Sequence, residues 1–137
     1  MLMASISKDI SLAVDAATAW AAIRDVGHPH LVFRGVLTDA RLDGDDRIVT
    51  FANGMVVRER IVDVDDRARR LAYSVVDGPF THHHATFSVT AESDGTSRLT
   101  WVADLLPDEV APIVDELMDQ GAAAAAETLG GRSPVRR

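Results

Sequence analysis

The chain has 137 residues, 47% of them hydrophobic, a formal net charge of −7 and no cysteine. That length suits one domain over 1–137, and the missing thiols exclude disulfides, thiol nucleophiles and zinc–thiolate sites. The acidic balance argues against non-specific nucleic-acid binding; no apolar run is long enough for a membrane span, and the N-terminus lacks the charged and apolar blocks of a signal peptide, so a cytoplasmic setting is expected.

Residues 3–14 alternate from Ile6 onward, with Ile10, Leu12 and Val14 on one face, and predict a strand. Asp15 then stands where an N-cap would take a free amide, opening a helix through AATAWAAIRDV in which Trp20 and Ile23 lie three apart. Gly27 and Pro29 end it or begin a second, broken turn. His28 and His30 flank that proline, but nothing in the spacing supplies a third ligand, so loop histidines and no metal are expected. Two strands are predicted at about 33–42 and 47–53, joined by a DGDD turn. Phe33, Leu37, Val49 and Phe51 are their inward candidates, with the register left open. Asn53–Gly54 is a strong hairpin signal.

From Val56 to Leu105 the pattern is a four-stranded meander, with reversals at 65–67 and around Pro79 and Asp94. Three-residue loops place Val64 opposite Ala68, Ile61 opposite Leu71, Glu59 opposite Tyr73 and Val57 opposite Val75. The next pairs are Leu71 with Phe87, Tyr73 with Ala85 and Val75 with His83. The last are Ala85 with Ala103, Phe87 with Trp101 and Val89 with Leu99. One apolar face results, and Glu59 and His83 are the residues that do not fit it. Tyr73, opposite Glu59 and diagonal to His83, would bring three polar tips together on that face. A buried carboxylate there needs a partner or a raised pKa. The RER triplet at 58–60 turns at least one charge inward in either register, and Glu59 inward costs less than Arg58 and Arg60 together. His82 and His84 alternate to the outer face, which breaks up HHH as a metal motif.

Pro107 and Asp108 announce a helix over about 108–129, ended by Gly130–Gly131. Val110, Ile113, Val114, Leu117, Gly121, Ala124, Ala125 and Leu129 recur at helical spacing, and roughly 22 residues span roughly 33 Å. The alanine block at 122–126 permits close packing or leaves an empty volume that could take a ligand. The RSPVRR tail reads as a short basic terminus.

This order, β-αα-β6-α, is α+β and resembles the START/Bet v1 helix-grip superfamily, a seven-stranded curved antiparallel sheet wrapped around a long C-terminal helix. VDAATAWAAIRDVG at 14–27, VVRERIVDVDDRARRLAYSVVDGP at 56–79 and DGTSRLTWVADLLP at 94–107 resemble its bacterial polyketide cyclase/dehydrase-like (SRPBCC) branch. The resemblance implies an internal cavity and a membership that mixes aromatase/cyclases, lipid and hormone carriers and coenzyme Q-binding proteins. Related sequences often have a tryptophan just before the first-loop proline; His28 in that place implies a more polar cavity mouth.

Three functions stay open. The first is binding of a small hydrophobic, aromatic or polyketide-like molecule, with Tyr73, Phe87 and Trp101 as contacts and Phe51, Val75, Leu117 and Gly121 around them. The second is a cyclase, dehydratase or isomerase with Glu59 or His83 as general acid/base and Tyr73 donating to an enolate oxygen. An open pocket with Glu59 and Tyr73 touching His83 would favour it; a filled interior with Glu59 salt-bridged to an arginine would remove it. The third is a structural or protein-binding domain with a collapsed cavity, its partner a second copy held through edge strands or the last helix. No reading requires a cofactor.

Overall fold

The computed structural model describes residues 3–130. Strand β1 (Ala4–Leu12) leads to helix α1 (Ala16–Ile23) and a 3₁₀ turn, Pro29–Leu31. Strands β2 (Leu37–Asp43), β3 (Asp46–Phe51), β4 (Val56–Asp65), β5 (Arg70–Val75), β6 (His82–Ala91) and β7 (Ser97–Leu106) follow. A second 3₁₀ turn, Asp108–Val110, opens helix α2 (Ala111–Gly130). The strands form one antiparallel sheet in the order β1-β7-β6-β5-β4-β3-β2. This is the expected helix-grip architecture. The β1–α1–β2 connection carries the chain from one sheet edge to the other. No helix among the described residues is long and apolar enough to cross a membrane.

Asp15 caps α1 as expected, accepting from the Thr18 amide at 2.9 Å. The helix buries Ala16, Ala19, Trp20 and Ile23, a stripe at three- and four-residue spacing. It ends at Ile23, short of the predicted RDV extension. The Trp20 indole N–H donates to Asp66 in the β4–β5 turn at 2.9 Å, and Arg24 pairs with the same carboxylate at 2.7 Å. Phe33 is not in a strand: its amide donates to the Pro29 carbonyl at 2.9 Å, one residue beyond the Val32 amide that closes the 3₁₀ turn on the same oxygen, while its side chain is buried.

The meander is correct in two of its three joints. Leu71 faces Phe87, Tyr73 faces Ala85, and Phe87 faces Trp101, as predicted, although the β5–β6 ladder stops before the expected Val75–His83 pair. The β4–β5 joint is different. Its loop is 66–69, turned by Arg69 at φ 52°, and a bulge falls between Ile61 and Asp63. Glu59 therefore faces Val75, Ile61 faces Tyr73 and Val64 faces Leu71. The longer loop alone would reverse the faces of β4. The extra residue of the bulge, exposed Val62, restores them, which is why Glu59 still points inward.

The core is centred on β5, β6 and β7, where Leu71, Leu99 and Leu105 are fully buried. The two halves of α2 are used differently. Ala125 and Ala126 are buried, and Gly130 sits where an added Cβ would lie 3.3 Å from the Ala13 Cβ, so the small residues hold this half close against the first strand's end. Lys8, the chain's only lysine, rises from β1 to Asp115 at 2.6 Å and Asp119 at 2.8 Å, and the two carboxylates raise its pKa above the usual lysine value.

Candidate functional site

A cavity of about 390 Å³ lies between the sheet and the first half of α2. The empty volume is thus not beneath the alanine block: those residues pack, whereas Val114, Leu117, Met118 and Gly121 form the cavity's helical wall. Phe51, Val57 and Val75 line the opposite side. The mouth is mostly apolar, with Met55, Val56 and Ile113 exposed at its rim and the exposed Asp77 as its charged residue. His28 is not part of it. That residue lies in the exposed loop, 2.9 Å from Asp25, and Pro29 reaches the cavity instead, so the polarity expected of the mouth from His28 is not found. The interior is open, unlike the collapsed core of the third reading.

Four aromatic rings make the cavity floor. Phe87 stacks on Trp101 at 4.8 Å and on Tyr73 at 5.7 Å between centroids, and Phe33 closes on Phe87 and Trp101 at 5.7 and 5.6 Å. Gly121 makes this possible. A Cβ built there would lie 2.9 Å from the Trp101 Cζ3 atom. Gly121→Leu is accordingly expected to lower the unfolding free energy by about 1–3 kcal/mol through overpacking, partly offset by leucine's better helix propensity. Displacement of the Trp101 ring should shift its emission maximum, read in a Trp20→Phe background; unchanged emission and stability would contradict the packing.

The polar wall starts from two paired strands of complementary charge. Across β3 and β4, Asp46 faces Arg60 and Arg47 faces Glu59. Period two sends the first pair outward, where Arg60 and Arg58 each hold Asp46 at 2.8 Å and draw its pKa down to about 2. The second pair goes inward, and the Arg47 Nε donates to Glu59 at 2.7 Å with both side chains buried. Arg47 also reaches the Val26 carbonyl at 3.4 Å and lies 5.3 Å over the Tyr73 ring. Sequence reasoning missed Arg47. Its signal was parity with Val49 and Phe51, lost because that register was left open.

His83 is buried as expected, but it acts on the backbone. Strand pairing of β5 with β6 stops at Tyr73 and Ala85, which leaves the Val75 amide without a ladder partner. That N–H donates to the His83 Nδ1 at 3.0 Å. The Ser74 hydroxyl donates to the His83 carbonyl. Burial, with the neighbouring His82 and His84 charges second, lowers the His83 pKa to about 4. The ring is therefore neutral at pH 7, and with Nδ1 accepting, its proton is on Nε2. Tyr73 accepts from the Trp101 indole N–H at 3.2 Å, and burial together with the Glu59 charge raises its pKa well above the usual phenol value.

The expected triad is therefore only partly assembled. Tyr73 and His83 are ring neighbours at 5.8 Å, but the partner of Glu59 is Arg47 rather than Tyr73 or His83. All nine predicted site residues, Glu59, His83, Tyr73, Val75, Phe87, Trp101, Phe51, Leu117 and Gly121, line the one cavity. Among the described residues no three His, Asp or Glu side chains group as for a metal ion.

Comparison with known proteins bears on the fold. Residues 3–131 match the family described as polyketide cyclase / dehydrase and lipid transport. A search of curated proteins finds no match. Among solved structures, the protein XoxI from Bacillus cereus superposes with a TM-score of 0.84 at 19% identity, over 93% of this chain and 96% of that one. A Thermobifida fusca protein gives 0.77 at 26% identity, over 93% of each chain. A point mutant of norcoclaurine synthase from Thalictrum, in complex with a transition-state analogue, gives 0.71 at 18% identity, over 93% and 94%.

Proposed function

Because the chain belongs to the polyketide cyclase / dehydrase and lipid transport family, we propose that it binds a small, mainly apolar molecule between the sheet and α2. The observation that carries this reading is the cavity of about 390 Å³, whose floor is aromatic and whose buried polar groups are gathered on one wall. Its size is near the lower end of ligand pockets, roughly 300–1,000 Å³, and suits a compact ring system better than a long acyl chain. Phe51, Leu117 and the Phe87–Trp101 pair supply contact area, and Tyr73 and His83 meet a polar group.

The engagement of both candidate bases supports binding over proton transfer. The Glu59 carboxylate is held by Arg47, and the free lone pair of His83 is taken by the Val75 amide. A general base needs that lone pair for the substrate proton. The cyclase or isomerase reading therefore lacks a free base, although the related fold of norcoclaurine synthase holds a transition-state analogue.

A panel of bicyclic and tricyclic aromatic compounds tests the proposal in the Trp20→Phe background, where Trp101 is the remaining tryptophan. Micromolar binding with quenched Trp101 emission is expected, together with loss of quenching in Leu117→Phe, which narrows the cavity without adding a second indole. A panel in which nothing binds, or in which Leu117→Phe binds equally well, would sink it.

A further inference from the structure

We propose that this cavity selects ligands whose polar end is an uncharged hydrogen-bond acceptor, such as a ketone or ester carbonyl, that it turns carboxylates away, and that Glu59 sets the choice. The inference rests on the binding reading above and narrows it to a chemical class.

The polar wall is short of acceptors. Tyr73 already accepts from Trp101, so its hydroxyl proton is the part left to offer, and no described residue receives it. His83 accepts at Nδ1 from Val75, which leaves the Nε2 proton without a partner among the described residues. Arg47 uses Nε on Glu59 and Nη1 on the Val26 carbonyl, and its Nη2 makes no hydrogen bond among the described residues. Three donor groups thus line the cavity, against two carboxylates: Glu59, already occupied by a guanidinium, and the exposed Asp77, which accepts from the Arg58 amide and adds negative charge. An entering molecule satisfies this wall by bringing acceptors.

Charge decides which acceptors. Arg47 alone would make the cavity an anion site, since a buried guanidinium is a ready partner for a carboxylate. Glu59 at 2.7 Å cancels it. The other nearby cations are committed elsewhere: Arg58 and Arg60 to Asp46 on the outer face, and Lys8 to Asp115 and Asp119. A carboxylate entering this space would lose its hydration with no uncancelled positive charge to receive it. A carbonyl needs donors only. Glu59 never has to touch the ligand for this; it acts through Arg47 and is a positioning residue.

Three probes with one apolar body separate the possibilities: 2-acetylnaphthalene, 2-ethylnaphthalene and 2-naphthoate, titrated by calorimetry at pH 7.5. The wild-type protein should bind the ketone tightest, ahead of the hydrocarbon by roughly fivefold for one neutral hydrogen bond, with the carboxylate weakest. Glu59→Gln keeps the side chain's shape and frees the Arg47 charge, so naphthoate should gain at least about tenfold and overtake the ketone. A purely structural role for Glu59 would weaken all three probes together and leave their order unchanged. Tyr73→Phe, which disturbs no ion pair, should shrink the ketone's margin over the hydrocarbon. The wild-type ranking needs no variant to fold: naphthoate bound more tightly than the ketone would overturn the inference while leaving the cavity-binding reading intact. Failure of all three probes to bind would overturn both.

Discussion

Glu59→Ala should lower the unfolding free energy by about 3–5 kcal/mol, the range found when one member of a buried ion pair is removed. The Arg47 side chain is only 5% exposed and keeps a single protein acceptor, the Val26 carbonyl at a long 3.4 Å. The face of Tyr73 beneath it does not replace a carboxylate. Against a typical total stability of about 5–15 kcal/mol, this is a large fraction. The loss comes from stranding the guanidinium rather than from the pair's own worth, so the double change Arg47→Met with Glu59→Leu should regain most of it. Urea unfolding of the three proteins checks both statements. A single-variant loss under about 1 kcal/mol would mean that Arg47 hydrates through the cavity mouth.

Acid should weaken the fold through His83 well before the carboxylates are titrated. An unfolded histidine takes its proton near pH 6.5, whereas the folded ring resists until about 4. Above 6.5 both states are neutral and stability is at its full value. As pH falls from there, the unfolded chain binds a proton that the native chain does not, so stability drops until about pH 4, where both carry it. The integrated loss is roughly 3 kcal/mol. Protonation would also remove the acceptor of the Val75 amide. His83→Gln should flatten this part of the stability–pH curve relative to wild type. An identical slope in both proteins between pH 6.5 and 4 would remove His83 as its source.

The apolar side of the sheet was legible because period-two alternation is a strong signal, and β5, β6 and β7 fell into register from turn lengths alone. The β4–β5 joint was misread for a physical reason. A bulge leaves no compositional mark, and in this joint two deviations cancelled, so the faces came out right while the opposing pairs did not. Arg47 escaped for the converse reason. A buried arginine contradicts the expected pattern until its partner is known, although the charge order Asp46, Arg47 against Glu59, Arg60 held the answer. The cavity's position under the first half of α2 followed from larger side chains standing off the sheet, a matter of packing that spacing on a helix does not report.

One lysine in the whole sequence reaches from the first strand to two aspartates on the last helix. Nitrogen-15 lysine labelling would give this protein a single side-chain ammonium resonance, placed where the first strand meets the last helix. A spectroscopist could follow whether the helix moves against the sheet when a probe compound is added by watching that one peak.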